Sequence, residues 1–361
     1  MTSMLCESLM RSLRWEHERV HLIRDADSGL CAVIAIHSTV LGPALGGLRI
    51  RRYEHDVPEA LDDALRLSRA MTLKAATAGL DLGGGKAVVV DDGRAKLRGP
   101  RLVALAQEIE RLGGEYITAE DIGTSTADMD LIAEHTSYVV GRSRHGGVCG
   151  DPSPETARTV LGAIEAALLT LDDDECLVGR TVGVIGVGKV GWPLVRSLLS
   201  AGARVVAFDP DMTAAEHARA EGAELAESAG QLLGLELDVL SPCAVGGLID
   251  EDVARKLRCR ILCGCANNQL ATDETACVLA ERGILYVPDF LANCGGLIHA
   301  DAERRAAGPD EVKLRVADAK QRLRAVLLEA RRTRRIPEIV AEQHAWARIE
   351  ASRTPRAPIP R

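Results

Sequence analysis

Aromatic residues make up only 2% of this 361-residue chain, with three Trp, four Tyr and two Phe. Leu, Val, Ile and Ala must therefore fill its interior. A basic excess is missing too. With 44 Lys and Arg against 52 Asp and Glu the formal net charge is -8, which argues against a nucleic-acid binder, since phosphate contacts need clustered cations. The arginines from Arg331 to Arg335 read as the solvated end of a helix. No apolar run approaches the roughly 18 residues of a membrane span, and the opening MTSMLCESLMRSLRW has neither the h-region nor the cleavage site of a signal peptide. A cytoplasmic protein without a membrane partner is expected. The ten cysteines are scattered, several in apolar runs such as RILCGC, and Cys259, Cys263 and Cys265 lack the C-x-x-C pairs and His partners of a zinc site. Reduced core thiols and no bound metal are expected.

The length predicts two domains, each able to bury a core. In the first half CAVIAIHSTV reads as a strand and GPALGG as a loop. PEALDDALRLSRAMTLKAATAG follows with Ala60, Leu61, Ala64, Leu65, Leu67 and Met71 at helical spacing, which puts Lys74 near a helix C-terminus. The stretch GLDLGGGKAVVV reads as a glycine loop feeding a strand. A helix over PRLVALAQEIERLG and a short strand ending at Asp121 come next. Gly, Ser and Pro accumulate in GRSRHGGVCGDPSPET and signal a boundary. Beyond it TVGVI, RVVAFD, DVLSPCA, RILCGC and ILYVPDF alternate with helical segments, the pattern of parallel strands with crossover helices. The fold class is α/β. From about 310 to 349 the chain reads as charged helix, and TPRAPIPR as a frayed tail.

Gly186-Val187-Gly188-Lys189-Val190-Gly191 fits G-x-G-x-x-G, and it follows the strand TVGVI and opens a helix. In that setting the glycines allow a tight turn, close approach of a pyrophosphate and helix-on-strand packing, while the helix N-terminus faces the phosphates. RVVAFD ends at Asp209, placed to accept hydrogen bonds from a ribose and to repel a 2′-phosphate. NAD is therefore expected rather than NADP.

The lysine of LGGGK does not belong to a phosphate-binding P-loop, because Leu80 stands where the first glycine is required and Ala87 where the hydroxyl is. Lys74 and Lys86 both lie in apolar surroundings, where burial lowers an amine's pKa and lets it act as a base. Asp121 ends a neighbouring strand.

GPALGG, MTLK, GLDLGGGKAVV, TAEDIGT, GDPSPET, GVGKVG, CANNQL and ILYVPDFLANCGG occur in this order, and together they resemble the signature segments of the Glu/Leu/Phe/Val dehydrogenases. The resemblance spans roughly residues 15 to 350. It implies reversible oxidative deamination of an L-amino acid to its 2-oxo acid and ammonia, and a homo-oligomer. It implies a substrate-binding and oligomerisation domain over 1–144, on which a C-terminal helix from 330 to 361 packs back, and a Rossmann-type NAD domain over 145–329. Matched motif by motif, Lys86 would be the base that activates water and Asp121 would shuttle a proton on the substrate nitrogen. Lys74 would bind the substrate carboxylate with Asn268 and the backbone at Gly46 and Gly47. The glycines before Lys86 would let the substrate approach its amine. Besides Gly186, Gly188, Lys189, Val190, Gly191 and Asp209, the resemblance assigns Thr156, Ala244 and Asn267 to the cofactor.

Leu45, Ala119, Leu297 and Ala300 match the side-chain pocket, all apolar, so a glutamate carboxylate would lack a partner there. A branched aliphatic substrate is expected, with an aromatic one open because Ala300 is small. Leu48, Leu73, Ala75 and Cys294 depart from the usual motifs, and the segment after Ala300 looks shorter. Those departures leave room for a non-catalytic member that binds NAD and a metabolite. A hydroxy-acid dehydrogenase would want a catalytic His, and no His here sits in a supporting motif.

Overall fold

A computed structural model of the protein describes residues 16–54, 56–143, 148–244, 246–272 and 274–353. The chain divides into two compact units, 1–150 with 300–309 and 345–361, and 151–299 with 310–344. The opening segment and the TPRAPIPR tail lie outside the described residues.

The first unit is built on β1 (Arg19–Asp25), β2 (Leu30–Ser38), β3 (Ala44–Arg51), β4 (Gly83–Val90) and β5 (Tyr116–Glu120), in the order β1-β2-β4-β3-β5. β4 is central, antiparallel to β2 and parallel to β3, and β3 in turn is parallel to β5. Helices α1 (Asp56–Thr77), α2 (Arg98–Arg111) and α3 (Thr126–Ala133) complete it. Alternate strand residues face opposite sides. Val33, Ala35 and Val88 pack with Ala60, Leu61, Ala64 and Leu65 of α1, whereas Ala32, Ile34, Ala87 and Val89 pack with Leu102, Leu105 and Ile109 of α2. Lys86 has the parity of Val88 and so shares the face of α1.

The expected glycine loop before Lys86 is corrected. Gly83, Gly84 and Gly85 belong to β4 itself. Their bareness is demanded by the protein: a Cβ on Gly83 would lie 1.8 Å from the Ser38 carbonyl oxygen, on Gly84 2.2 Å from the Thr72 backbone nitrogen of α1, and on Gly85 2.6 Å from the Tyr116 ring.

The second unit begins with α4 (Ser153–Asp172) and alternates β6 (Thr181–Ile185), α5 (Gly191–Ser200), β7 (Arg204–Phe208), α6 (Met212–Ala220), β8 (Glu224–Leu225), α7 (Ala229–Leu233), β9 (Leu237–Pro242), α8 (Glu251–Lys256), β10 (Cys259–Leu262), α9 (Glu274–Glu281) and β11 (Leu285–Tyr286). All six strands are parallel, in the order β11-β10-β9-β6-β7-β8. This is the Rossmann-type doubly wound order, with its reversal between β6 and β9. Helices cover both faces. One core joins Val182, Val184 and Val239 to Leu194, Leu198, Leu323 and Leu327, and the other joins Ile185, Leu240 and Leu262 to Leu232, Ala254 and Leu279.

The chain ends with α10 (Asp289–Ala292), α11 (Gly295–Arg304), α12 (Pro309–Thr333) and α13 (Pro337–Arg353). The expectation for 330–361 is corrected in part. Val340 and Ala341 sit in the core of the second unit, so 330–344 belongs there. Ala345 and Ile349 instead pack with Leu73 and Ala76 of α1, where Arg348 donates to the Leu80 carbonyl at 2.6 Å.

Candidate active site

In the first unit the predicted Lys86 and Asp121 meet. Lys86, 5% exposed on the central strand, donates from Nζ to Asp121 Oδ2 at 2.7 Å. Burial pulls the Lys86 amine below its ordinary value, and the Arg49 charge pulls the same way, against the opposing pull of Asp121. Asp121 follows β5 directly. Its backbone N–H donates to Thr124 Oγ1 at 2.8 Å, and that hydroxyl donates to the Leu48 carbonyl at 3.1 Å, which pins the turn to β3.

Arg49, absent from the sequence-based assignments, completes the cluster. From β3 it donates through Nε to Asp121 Oδ2 at 2.9 Å and through its terminal nitrogen to Asp63 Oδ2 on α1 at 2.9 Å. Asp63 also accepts from the Tyr53 hydroxyl at 2.9 Å and from Arg66 at 2.7 Å. Burial pushes both carboxyls upward, but Lys86 and Arg49 at Asp121, and Arg49 and Tyr53 at Asp63, leave each below the ordinary carboxylate value. The one available sign was Arg49, the inner of two arginines in the otherwise apolar strand ALGGLRIR.

Gly46 and Gly47 lie buried beside this cluster. A Cβ on Gly47 would stand 2.7 Å from Asp121 Cβ and 3.3 Å from Lys86 Nζ, so its absence keeps the flank of the amine open. The Gly46 carbonyl accepts from the Tyr116 hydroxyl at 2.7 Å, one of the few aromatic groups in a structural role. Lys74 lies half-buried in the last turn of α1, on the face of the sheet that carries Lys86. Leu45 is buried on β3, and Ala119 is half-buried on β5, opposite Gly47.

The second unit brings together the predicted dinucleotide turn. β6 leads into Gly186 at φ +98, a conformation open to glycine; nothing lies within 4 Å of a Cβ placed on Gly188; and a Cβ on Gly191 would be 1.9 Å from the Gly186 carbonyl oxygen. Those are the three glycine roles of a pyrophosphate-binding turn. Lys189 is exposed, and Val190 is the residue before α5. Asp209 directly follows β7 and accepts the Val187 N–H at 2.7 Å, which sets its carboxylate over the turn. Ala244 follows β9, across the sheet reversal, and a Cβ on Gly186 would be 2.7 Å from its own. Thr156 is in the first turn of α4, donating to the Pro152 carbonyl at 3.2 Å. Asn267 accepts from Asn293 Nδ2 at 2.8 Å, and Asn268 takes a positive φ of 51 with its N–H donated to Asp289. Leu297 is buried and Ala300 half-buried on α11. The sheet reversal, the bare turn and the acid fit a dinucleotide.

Family models match more than half of the chain: Glu/Leu/Phe/Val dehydrogenase, dimerisation domain, over residues 17–138, and Glutamate/Leucine/Phenylalanine/Valine dehydrogenase over 209–307. A leucine dehydrogenase of Geobacillus stearothermophilus is 38% identical over 344 residues, covering 95% of this chain and 94% of that protein. A valine dehydrogenase of Streptomyces virginiae is 40% identical over 349 residues, covering 96% and 97%. The chain belongs to the Glu/Leu/Phe/Val dehydrogenase family. As a Glu/Leu/Phe/Val dehydrogenase it is an oxidoreductase of amino acids, in a family that uses NAD(P). Among solved structures it is similar to L-tryptophan dehydrogenase from Nostoc punctiforme, with a TM-score of 0.84, 33% identity, and coverage of 96% of this chain and 99% of that one. Membership excludes the hydroxy-acid reading. Among the described residues no helix is long and apolar enough to cross a membrane.

Proposed function

We propose that the protein catalyses reversible NAD-dependent oxidative deamination of a branched-chain aliphatic L-amino acid to the 2-oxo acid and ammonia. The observation that carries this reading is the buried Lys86 amine, 2.7 Å from Asp121 and flanked by the bare Gly47. Leucine and valine dehydrogenases among the relatives and the apolar Leu45, Ala119, Leu297 and Ala300 support the substrate class.

NAD, when bound, accepts the hydride from the substrate Cα. The Gly186–Gly191 turn and the α5 N-terminus would hold the pyrophosphate, Asp209 the ribose hydroxyls, and Lys189, Val190, Thr156, Ala244 and Asn267 the remaining contacts. Loss of hydride and of a proton from the substrate nitrogen leaves a C=N bond. Asp121 takes and returns the nitrogen's protons. The neutral Lys86 amine removes a proton from water as its oxygen bonds to that carbon, and the C–N bond of the resulting carbinolamine then breaks to release ammonia. Lys74 and Asn268, with the backbone at Gly46 and Gly47, are assigned to the substrate carboxylate. Asp209, carrying the charge that repels a 2′-phosphate, favours NAD over NADP. The match to a dimerisation domain supports a homo-oligomer.

One observation favours a second substrate class. Ala300 is small, and a tryptophan dehydrogenase shares the fold at 33% identity, so an aromatic amino acid is the alternative. NADH formation at alkaline pH with each of the twenty amino acids, using NAD and NADP in parallel, decides. Leucine, valine or isoleucine with NAD should give the highest kcat/KM. Turnover of phenylalanine or tryptophan alone would favour the alternative, and silence with all twenty would defeat both.

A further inference from the structure

Cys243 and Cys265 follow the C-terminal ends of β9 and β10, neighbouring strands whose last pair is Leu240 with Leu262. The two chains stay together beyond that pair. Cys263 N donates to the Leu240 carbonyl at 2.9 Å and Ala266 N to the Pro242 carbonyl at 3.0 Å, and Gly264 lies so close to Pro242 that a Cβ would stand 2.1 Å from its oxygen. Strand spacing of about 4.8 Å falls inside the roughly 4.4–6.8 Å between Cα atoms that a disulfide spans. The Cys265 thiol is 3.6 Å from the Cys243 carbonyl oxygen and within hydrogen-bonding reach of the Cys243 sulfur, which also lies 3.5 Å from Ser241 Oγ. The hydrogen bond from Cys265, and then that from Ser241, outweigh burial and hold the Cys243 thiol below its ordinary value, which favours the thiolate. Cys263 is fully buried and pushed upward by burial, so it is the poorer nucleophile. Among the described residues no three His, Cys, Asp or Glu side chains are arranged to hold a metal.

We propose that Cys243 and Cys265 form an oxidation site that a hydroperoxide converts reversibly to a disulfide, weakening dinucleotide binding at the adjacent glycine turn. The Cys243 thiolate attacks the terminal peroxide oxygen, the O–O bond breaks, and the leaving oxygen departs protonated, as water when the oxidant is hydrogen peroxide. Cys243 is then a sulfenic acid. Cys265 attacks its sulfur, the S–S bond forms, the S–O bond breaks, and the hydroxyl leaves with the Cys265 proton as water. Two thiols lose two electrons and the peroxide gains them. A dithiol reverses the change.

The consequence for the cofactor follows from position, and it rests on the cofactor assignment proposed above. Cys243 N donates to the Ile185 carbonyl at 2.7 Å, and its Cβ is 3.4 Å from a Cβ built on Gly191. The next residue is Ala244, against Gly186. On the other strand the Cys265 carbonyl accepts from Asn293 Nδ2 at 3.0 Å, the same amide nitrogen that donates to Asn267 at 2.8 Å. Drawing the sulfurs to about 2.05 Å therefore shifts both the loop facing the turn and the support of Asn267.

The test uses the reduced full-length chain, treated with a few equivalents of hydrogen peroxide, blocked with N-ethylmaleimide and digested for mass spectrometry, with NADH binding titrated in parallel. The peptides holding Cys243 and Cys265 should be joined with the loss of two hydrogens. NADH affinity should fall about tenfold or more, within the usual range of coupling between sites, and dithiothreitol should restore both. Cys265→Ser should bind NADH normally before and after peroxide, while Cys277→Ser, which removes an exposed thiol, should remain as sensitive as the parent. No Cys243–Cys265 link, or a link with unchanged NADH affinity, overturns the proposal. If the reduced chain forms the link yet never binds NADH, the cofactor assignment fails, and the switch with it, while the oxidation chemistry stands on the mass measurement.

Discussion

Lys86 and Arg49 donate to the same oxygen, Oδ2 of Asp121, at 2.7 and 2.9 Å. One carboxylate thus serves two cations, and neither is fully neutralised by it. Burial and the arginine act together to favour the uncharged amine of Lys86.

Arg49→Met should expose that coupling in the pH profile. A base must be neutral to take a proton, so deamination rises with pH through the folded-state pKa of Lys86, which lies below the ordinary lysine value of about 10.4. Removing the Arg49 charge ends its repulsion and leaves Asp121 more fully to Lys86, and both changes raise that pKa. The ascending limb of kcat/KM against pH should move to higher pH. A limb that stays in place or moves down would count against the shared-carboxylate account.

Lys86→Gln should separate chemistry from binding. Loss of a positioned general base reduces kcat by about 10²–10⁴-fold, while NADH affinity, which we assign to the second unit, should hold. Stopped-flow turnover and NADH titration on one preparation check both. A variant retaining more than a tenth of parental kcat would remove Lys86 from the base role.

Gly47→Ala tests the open flank of the amine. The new Cβ meets Asp121 Cβ at 2.7 Å and the Glu120 carbonyl oxygen at 3.1 Å, so a stability loss of about 1–3 kcal/mol is expected from overpacking. Activity should fall further than stability accounts for, because the methyl group also crowds Lys86 Nζ. Urea unfolding and steady-state kinetics give the two numbers; parental kcat/KM in a folded variant would refute the role given to Gly47.

Acid should unfold the first unit by a traceable route. Asp63 and Asp121 have folded-state pKa values below the ordinary one. Their contribution is therefore fully present above the unfolded value of about 3.9 and is lost as pH falls through the folded values. Lys86 has the same sign of slope in a higher pH window: its depressed pKa costs stability at low pH, and stability rises with pH from the folded value up to the unfolded lysine value, about 10.4. Asp63→Asn leaves the nearly buried Arg49 short of one charge partner and should cost about 3–5 kcal/mol at neutral pH, with a shallower loss in acid than the parent. Urea midpoints between pH 7 and pH 2 measure this, and parallel curves would refute it.

Asp209→Ser addresses the cofactor. Without the carboxylate the repulsion of a 2′-phosphate disappears, and the ratio of kcat/KM for NADP over NAD should rise about tenfold or more, equivalent to about 1.4 kcal/mol. An unchanged ratio would mean that Asp209 does not read the ribose.

The glycine turn proposed for the dinucleotide was legible as a turn because everything that makes it is local. A strand, three glycines at fixed spacing, a helix and an acid at the next strand end all fall within Thr181 to Asp209, and each backbone requirement is met by neighbours in the chain. Lys86 and Asp121 were legible for a different reason, since their motifs resemble those of a family whose residues meet. Arg49 gave only a faint sign, because its partners Asp63 and Asp121 stand 14 and 72 residues away and no periodicity links such positions.

By itself, then, the order of residues determined the alternation of strands and helices, the parallel second sheet and the glycine turn. These follow from short-range spacing and from which side chains shun water. Only the tertiary structure decided that Arg49 shares Oδ2 of Asp121 with Lys86, that Gly83 to Gly85 make room for Ser38, Thr72 and Tyr116 within a strand, and that the C-terminal segment divides at 344/345 between the two units. Each is a contact between distant stretches of chain, selected by packing and charge pairing once the sheets have assembled.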